Sequence, residues 1–446
     1  MNDPDLSVSI TSTPLIAFES LALASLVCLG LLVPNSPKTS PLAIIATLLC
    51  VAAAFTPRWR LLGASAKPIA ITAVFISVLL AVWGVSVYGE SVTYIVLVVV
   101  SIISVSLIVS VSRGQRSRMV NRGGRLLLCT ALTGLIVVMG LLIVDEPREP
   151  IDVLEIHRSA AIELANGRNP YVTARAIDTS PLARPGDVFE GYVYPPTAMM
   201  AYVSAQWSFG DPRWATVVAA ACFVTLIVSP WSKMDTEAAS ARIALALVFV
   251  AMPPLGVMIS GGWTDLLALP LFLGAAMLWK TRWLASALLL GLALSTKSYF
   301  VLALPVLLLW PDKGRWRRIW VIGAAVFTTY LPFLILDAPS ILSTINGKTF
   351  EAPYRPDSLG LAGMGLNVPR WLSYSLAVIT GILVGRRGGA VYRFFIGLSA
   401  VFAVVFVTGF QAFINYWVLV VGLILIALVI SISQPHANPR SEAQIA

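Results

Sequence analysis

Long apolar runs recur along this chain, and they constrain its fold more than any other feature. Each run covers roughly 16 to 22 residues, which is about the length that a helix needs to cross a hydrocarbon core of ~30 Å. Inside a bilayer a helix satisfies all its backbone hydrogen bonds within its own segment. Hydrophobic residues make up 58% of the 446 residues and charged residues only 12%, a composition outside the range of soluble domains. The sequence therefore predicts an all-α polytopic membrane protein.

Basic residues between the runs predict how the chain is oriented in the membrane. Three follow the second run, at 58–67, and five follow the fourth run, at 113–125. Loops rich in Lys and Arg stay on the cytoplasmic side, so the loop after the fifth run is expected outside. The net charge of +9 then reflects topology and does not imply a nucleic-acid partner.

Two segments do not fit simple spans. The segment 194–209 is short and begins with Tyr-Pro-Pro, which favours a re-entrant or interfacial helix. The run 283–310 is interrupted by Ser-Thr-Lys-Ser at 295–298 and is expected to form two short helices with Lys297 outside. With these features the chain has about fourteen transmembrane or re-entrant helices and two cytoplasmic termini.

Two polar intervals are long enough to form outer loops, at 145–193 and 337–368. The first carries nine carboxylates, five arginines and His157, one of two histidines in the chain. The loops are unlike each other, which argues against a transporter built from two related halves. The expected units are N-terminal transmembrane helices at 1–124, a second membrane module at 125–433 and a cytoplasmic tail at 434–446.

No motif for a soluble cofactor-binding domain is present in the sequence. A Gly-rich nucleotide loop, a CxxC pair and an HExxH helix are all absent, and each of these is needed for its chemistry. No DxD triplet marks a metal site either. We therefore predict no cofactor and no metal ligands, while a metal requirement stays open.

The start of the first outer loop carries the candidate acids. Apolar residues recur at helical spacing over 151–167, so this segment can lie along the membrane surface. The Gly-Arg-Asn-Pro stretch at 167–170 ends the helix. Asp152 and Glu155 lie near each other on it, and a carboxylate at a membrane–water boundary is suited to deprotonate a hydroxyl group. A solvated helix whose acids only keep it wet is the alternative.

Two basic residues are candidates for binding an anion. Lys297 lies between apolar runs, where a cation either reaches up to the headgroups or binds a phosphate. Arg355 can bind phosphate oxygens with two parallel hydrogen bonds, or it pairs with Asp357. Asp265 begins an apolar run, and capping of that helix is its simplest explanation.

The order of these features resembles the GT-C superfamily of polyprenyl-phosphate-sugar-dependent glycosyltransferases, above all glycosyltransferase family 87. In that family an Asp shortly after a span precedes a helix that ends in a Gly-x-Asn-Pro-Tyr-like turn, as Asp152 precedes 167–171. Further segments similar to family motifs are YPP at 194–196, GGWTD at 261–265, GLALSTK at 291–297 and QAFINYW at 411–417. The resemblance covers about residues 126–433.

The resemblance implies a GT-C-type helical bundle that transfers a sugar with inversion, mannose first and arabinose second. The donor would be a polyprenyl-phosphate sugar, and the acceptor a lipoglycan or cell-envelope glycan at the outer face of a bacterial cytoplasmic membrane. Asp152 would be the catalytic base, with Glu155 as runner-up because the spacing to the turn can differ by a residue. The candidate substrate-binding residues are His157, Tyr171, Tyr194, Lys297, Lys348 and Arg355. A transporter or flippase for a lipid-linked sugar is the alternative.

Overall fold

The computed structural model of the protein is almost entirely helical in the parts of the chain that it describes. Those parts are residues 18–33, 36–56, 66–88, 98–100, 102–103, 122–145, 151–178, 187–229, 236–312, 314–346 and 353–433. The helices of the first half are α1 (Phe18–Gly30), α2 (Ser40–Phe55), α3 (Lys67–Tyr88), α4 (Arg122–Asp145), α5 (Asp152–Ala165), α6 (Pro170–Thr173), α7 (Pro196–Phe209) and α8 (Trp214–Val228). Those of the second half are α9 (Thr236–Val250), α10 (Pro254–Ser260), α11 (Asp265–Leu278), α12 (Trp283–Leu294), α13 (Leu304–Leu309), α14 (Arg315–Asn346), α15 (Arg370–Arg387), α16 (Val391–Thr408) and α17 (Ile414–Ser433).

Six of these helices are long and apolar enough to cross a membrane, namely α2, α3, α4, α14, α16 and α17. Two bent pairs add up to two more spans, α7 with α8 at 107° and α9 with α10 at 59°. The predicted all-α class is thus confirmed, with six to eight candidate membrane spans among the residues that the structure describes. The expected count of about fourteen includes shorter helices and segments outside the described residues, and it stays a prediction.

Both interruptions that the sequence indicated are present as breaks in the helices. Helix α7 starts at Pro196, a position where the backbone N–H that proline lacks would have no partner within the helix. The helix is followed by Gly210 in the left-handed region at φ 77°. Farther along, α12 ends at Leu294 and a 3₁₀ helix over Ser298–Ala303 leads into α13. Lys297 lies in the break between them.

The first outer loop is folded around helix α5. Its bounds agree closely with the predicted amphipathic segment, and Gly167 after it has φ 70°. Beyond α6 the chain forms a two-stranded antiparallel ribbon, β1 (Arg175–Ile177) and β2 (Val188–Glu190), with Arg175 opposite Glu190. This small ribbon is the part of the described chain that departs from the all-α prediction.

The second outer interval begins inside helix α14. The backbone leaves helical geometry at Asp337 and the helix then continues to Asn346, so part of the expected loop 337–368 is helical. Asp337 accepts hydrogen bonds from the Ser340 amide at 3.2 Å and from its hydroxyl at 2.6 Å. Pro332 and Pro339 flank this bend, and proline removes a helical hydrogen bond, which accounts for the kink.

The N-terminal helices pack directly against helices from the end of the chain. Helix α2 lies against α16, α3 against α9, and α1 against both α2 and α17. Thr47 donates to the carbonyl of Ala403 at 3.4 Å, and Ser431 donates to the carboxylate of Glu19 at 3.3 Å. Residues on both sides of position 124 belong to one buried core. The expected division of the chain near residue 124 stays a prediction.

Candidate functional site

A buried pair of charged residues attaches helix α5 to the bundle. Arg213 donates to the last carbonyls of α4, at 3.1 Å from Ile143 and 2.7 Å from Val144. Asp211 accepts hydrogen bonds from Arg213 and, at 2.9 Å, from Arg158 on α5. Carbonyls at a helix end need such donors, so one network satisfies α4 and fixes the position of α5.

Asp152 lies at the first turn of α5, half-buried at the edge of the bundle. One of its oxygens accepts a hydrogen bond from the Val153 amide at 2.8 Å. Burial and then the Asp152 carboxylate raise the pKa of the Tyr194 hydroxyl well above its usual value. The His157 ring, on the same helix as Asp152, lies 5.4 Å from the Tyr194 ring, so α5 and Tyr194 are neighbours.

The two consecutive glycines of the GGWTD segment, Gly261 and Gly262, lie against the N-terminal end of α5. Gly262 has φ 61°, a backbone conformation that favours glycine. A Cβ on Gly261 would come within 3.0 Å of the Ile151 side chain and closer still to Trp263. The glycines thus let the turn that ends at Asp265 lie next to the residue that precedes Asp152.

Glu155 is one helical turn beyond Asp152 and contacts the β-ribbon. Its carboxylate accepts a hydrogen bond from the backbone amide of Ile177 at 2.9 Å. Close by, the Ser159 hydroxyl accepts one from the amide of Arg175 at 2.9 Å. Glu155 thus attaches strand β1 to α5 through this hydrogen bond. The catalytic roles of Asp152 and Glu155 stay predictions.

An aromatic cluster under α5 contains three of the predicted substrate-binding residues. His157 is fully buried, stacks on Tyr202 at 3.7 Å and bonds the Tyr192 hydroxyl at 2.9 Å. Burial lowers the pKa of His157 to about 3, so the ring is neutral at physiological pH. The buried Tyr171 donates to the carbonyl of Tyr194 at 2.8 Å. His157 and Tyr171 therefore support Tyr194 from inside, and only Tyr194 is partly exposed.

The Gly-Arg-Asn-Pro-Tyr turn explains how Tyr171 reaches this cluster. The Asn169 side chain accepts a hydrogen bond from the Tyr171 amide at 3.1 Å, as an N-cap residue does. The carbonyl of Pro170 accepts one from Tyr192 at 3.0 Å. Arg168 and Glu163 form a pair at 2.7 Å across the end of α5, which stabilises the turn.

Lys297 lies among three tyrosine rings. Its ammonium nitrogen is 4.8 Å from the ring centre of Tyr194, 5.3 Å from that of Tyr416 and 5.7 Å from that of Tyr299. A cation at such distances is attracted by the ring face. The side chain is only 7% exposed, whereas a lysine that reaches up to the headgroups keeps its head in water. Burial therefore argues against snorkelling, while the role of Lys297 in binding an anion stays a prediction.

Asp265 is the residue whose role the sequence did not indicate. Thr264 is the N-cap of α11, so the capping explanation for Asp265 was wrong. The fully buried carboxylate lies 3.3 Å from the Lys297 ammonium and accepts a hydrogen bond from the Asn415 amide at 2.6 Å. It also accepts one from the Tyr299 hydroxyl. The GGWTD and FINYW segments were the available signal, but nothing in a single sequence paired them.

Arg355 is held by the local carboxylate that the sequence offered as an alternative. Two hydrogen bonds of 2.9 Å join its guanidinium to Asp357. The guanidinium also lies 5.0 Å from the ring centre of Phe413, whose ring is 5.9 Å from that of Tyr416. Arg355 is thus one ring away from the tyrosines around Lys297. Lys348 lies outside the described residues, so its predicted role stays a prediction.

No family model, curated protein or solved structure matches this chain. The resemblance to family 87 therefore rests on the quoted motifs. Among the described residues, no group of three or more His, Cys, Asp or Glu side chains could hold a metal ion. What the structure brings together is a half-buried carboxylate, a buried ammonium and a set of partly exposed aromatic rings.

Proposed function

We propose that this protein is a membrane glycosyltransferase that moves a sugar from a polyprenyl-phosphate donor to a hydroxyl group. The observation that carries the proposal is that Tyr194 lies between two elements that each carry a charged group: its ring is 5.4 Å from that of His157 on α5, the helix that begins at Asp152, and 4.8 Å from the Lys297 ammonium. A base for an acceptor hydroxyl and a cation for a leaving phosphate are the two charged groups that this reaction needs.

The carboxylate of Asp152 acts on the acceptor in this scheme. The acceptor oxygen attacks the anomeric carbon and gives its proton to Asp152. The bond from the anomeric carbon to the phosphate oxygen breaks, and its electron pair leaves with polyprenyl phosphate. A single displacement of this kind inverts the anomeric centre. It needs no covalent enzyme intermediate and no second carboxylate.

The ammonium of Lys297 meets the phosphate in this scheme. It lies in a buried setting, where a fixed charge stabilises a developing anion more strongly than in water. Arg355, behind the Phe413 ring, is a second cation in this region. Lys348 keeps the same proposed role.

An apolar stripe begins beside Lys297 and supports a lipid-linked donor. Val301, Leu304 and Leu308 are 52%, 44% and 38% exposed, and their spacing places them on one face of the segment. Helix α15 packs along α13, and α14 also contacts it. A cation at the head of an apolar surface fits a substrate with an anionic head and a long hydrocarbon tail.

The finer features of the proposal follow the charge pattern and the resemblance. The intervals 145–193 and 337–368 face the outer side of the cytoplasmic membrane of a bacterial cell. The bundle that they belong to has about fourteen transmembrane or re-entrant helices. Mannose is the proposed sugar, and a lipoglycan or cell-envelope glycan is the proposed acceptor. Membrane lipids surround the bundle.

The direct test uses purified protein in detergent with a synthetic short-chain polyprenyl-phosphate mannose. We expect release of polyprenyl phosphate when a mannoside acceptor is added. No consumption of either a mannose or an arabinose donor, with folded protein, would refute the proposal.

The bent helix pairs at 107° and 59° favour a second candidate, a flippase for a lipid-linked sugar, because transporters use broken helices around their substrates. Movement of the intact donor across vesicle membranes would support that candidate.

A further inference from the structure

Asp265 is fully buried and has three donors around it, although the transfer reaction gives it no task. One oxygen accepts from Tyr299, and the other accepts from Asn415 at 2.6 Å and lies 3.3 Å from the Lys297 ammonium. Burying a carboxylate is costly unless it is paired and hydrogen-bonded. The arrangement supplies both, from the 3₁₀ helix, from α17 and from the helix break.

Lys297 is buried beside this carboxylate. Its side chain is 7% exposed, and burial favours the neutral form of a lysine. Ring faces attract a cation, but an opposite charge within ~4 Å favours the protonated form more strongly. Asp265 is the carboxylate that the structure places at this distance from Lys297.

We propose that Asp265 is a positioning residue, which keeps Lys297 protonated and fixed between Tyr194, Tyr299 and Tyr416 so that it can bind the donor phosphate. Tyr299 and Asn415 occupy one lone pair on each oxygen of the Asp265 carboxylate. An approaching phosphate then meets the ammonium and not an unscreened carboxylate. The inference rests on the proposed function, because the anion is the phosphate of the proposed donor.

A positioning role for Asp265 and simple charge repulsion predict opposite effects of Asp265→Asn on phosphate affinity. If Asp265 only added negative charge near the anion site, then Asp265→Asn would strengthen phosphate binding by removing repulsion. If Asp265 maintains Lys297, the same substitution weakens binding, because the lysine loses its proton and its fixed position. Asn keeps the size of the side chain, so the contrast concerns charge.

The groups that face Lys297 are known from the surrounding elements. Besides Asp265 they are the rings of Tyr194, Tyr299 and Tyr416. Beyond these rings lie His157 and Asp152 on α5, next to Tyr194, and Arg355 behind the Phe413 ring. His157 stays neutral above about pH 3, and tyrosine hydroxyls ordinarily ionise near about pH 10. Between these limits, Lys297 is the group whose titration should respond to Asp265→Asn.

The first test measures the charge of Lys297 without any ligand. The chain has seven lysines, so ¹³Cε-lysine NMR of the full protein in detergent resolves them, and Lys297→Arg assigns the signal. We expect the Lys297 signal to titrate at or below about pH 7 in Asp265→Asn, as buried lysines without a partner do, and at least about one pH unit higher in wild type. The control Asp337→Asn removes a carboxylate at the bend of α14 and should leave the signal unchanged. An unchanged midpoint in Asp265→Asn would overturn the proposal.

The second test measures binding of a short-chain polyprenyl phosphate by calorimetry. In Asp265→Asn we expect affinity to fall at least about tenfold at about pH 8, as for a lost charge-assisted contact, and to recover at about pH 6. In Lys297→Met we expect the loss at both values. Equal or tighter binding by Asp265→Asn at about pH 8 contradicts the proposal. If wild type binds no polyprenyl phosphate, the proposed function fails, while the NMR titration still decides the role of Asp265.

A milder variant covers the case in which Asp265→Asn does not fold. Tyr299→Phe removes one donor from the Asp265 carboxylate and leaves its contact with Lys297. We expect Lys297 to stay protonated to the same or a higher pH, and polyprenyl phosphate to bind about threefold more weakly, because one carboxylate oxygen is uncovered. Unchanged binding would show that Tyr299 does not screen Asp265 and would overturn that part of the proposal.

Discussion

Replacement of Asp152 by Asn should abolish most of the sugar-transfer activity and leave the fold intact. The amide keeps an oxygen that can accept the hydrogen bond from the Val153 amide, 2.8 Å long in the native protein. Only the basic carboxylate is lost. Asp152 is half-buried and begins a helix that Arg158 anchors separately through Asp211, so the free energy of unfolding should change by less than about 1 kcal/mol.

The expected loss follows from the chemistry of the base. General-base assistance contributes about 10²- to 10⁴-fold in rate, so the turnover number of Asp152→Asn should fall by that factor. The Michaelis constant for the donor should change little, because Lys297 and the apolar stripe are untouched. The assay is mannose transfer from a synthetic polyprenyl-phosphate donor, with thermal unfolding of each variant measured alongside.

Glu155→Gln is the matched control for this substitution. Gln keeps an oxygen for the amide of Ile177, 2.9 Å away in the native protein, so strand β1 stays in place. Its activity should remain within about tenfold of wild type, as is usual when a partly exposed charge is removed. Near-normal turnover in Asp152→Asn with loss in Glu155→Gln would make Glu155 the base. Full activity in both would remove the loop from the reaction.

Three further predictions concern charge and topology. Lys297→Met should weaken donor use by about 2 kcal/mol, the value of a lost charge-assisted contact, whereas Lys280→Met should not; equal kinetic constants in both variants would remove Lys297 from the donor site. Because burial lowers the pKa of His157 to about 3, the unfolded chain binds a proton first, so stability should fall by about 1.4 kcal/mol per pH unit below about pH 6. Thermal unfolding against pH should show this slope, and His157→Phe should reduce it. Single cysteines at the exposed positions Val188 and Thr281, in a cysteine-free background, should react from opposite sides with an impermeant reagent; labelling of Thr281 from outside would contradict the charge-derived orientation.

Local features of the fold could be predicted because short-range physics decides them. Gly167 and Pro170 end helix α5 within the chain segment itself, and Ser295 to Ser298 interrupt an apolar run in the same way. Apolar periodicity placed α5 at nearly its observed bounds. These signals need no knowledge of distant residues.

The β-ribbon and the number of membrane spans could not be predicted from such local signals. Strands β1 and β2 have three residues each, too few for an alternating pattern to stand out from a polar loop. The continuation of α14 beyond Asp337 was missed because the whole polar interval 337–368 was expected to be a loop, although a proline such as Pro339 is tolerated in the first turn after a kink. Hydropathy alone also does not separate a bent pair such as α9 and α10 from one straight span.

The contrast between two ion pairs shows why the site itself was only partly predictable. Arg355 and Asp357 are two residues apart, and the sequence offered their pairing as an alternative, which the structure contains. Lys297 and Asp265 are joined only by the packing of α11, the helix break and α17. A remote carboxylate of this kind is invisible to motif reading, yet burial of the lysine makes it necessary, since an unpaired buried ammonium would lose its proton. Where a sequence places a lone cation between apolar runs, a second, distant acid should therefore be sought, and the acid determines whether the cation can bind an anion at all.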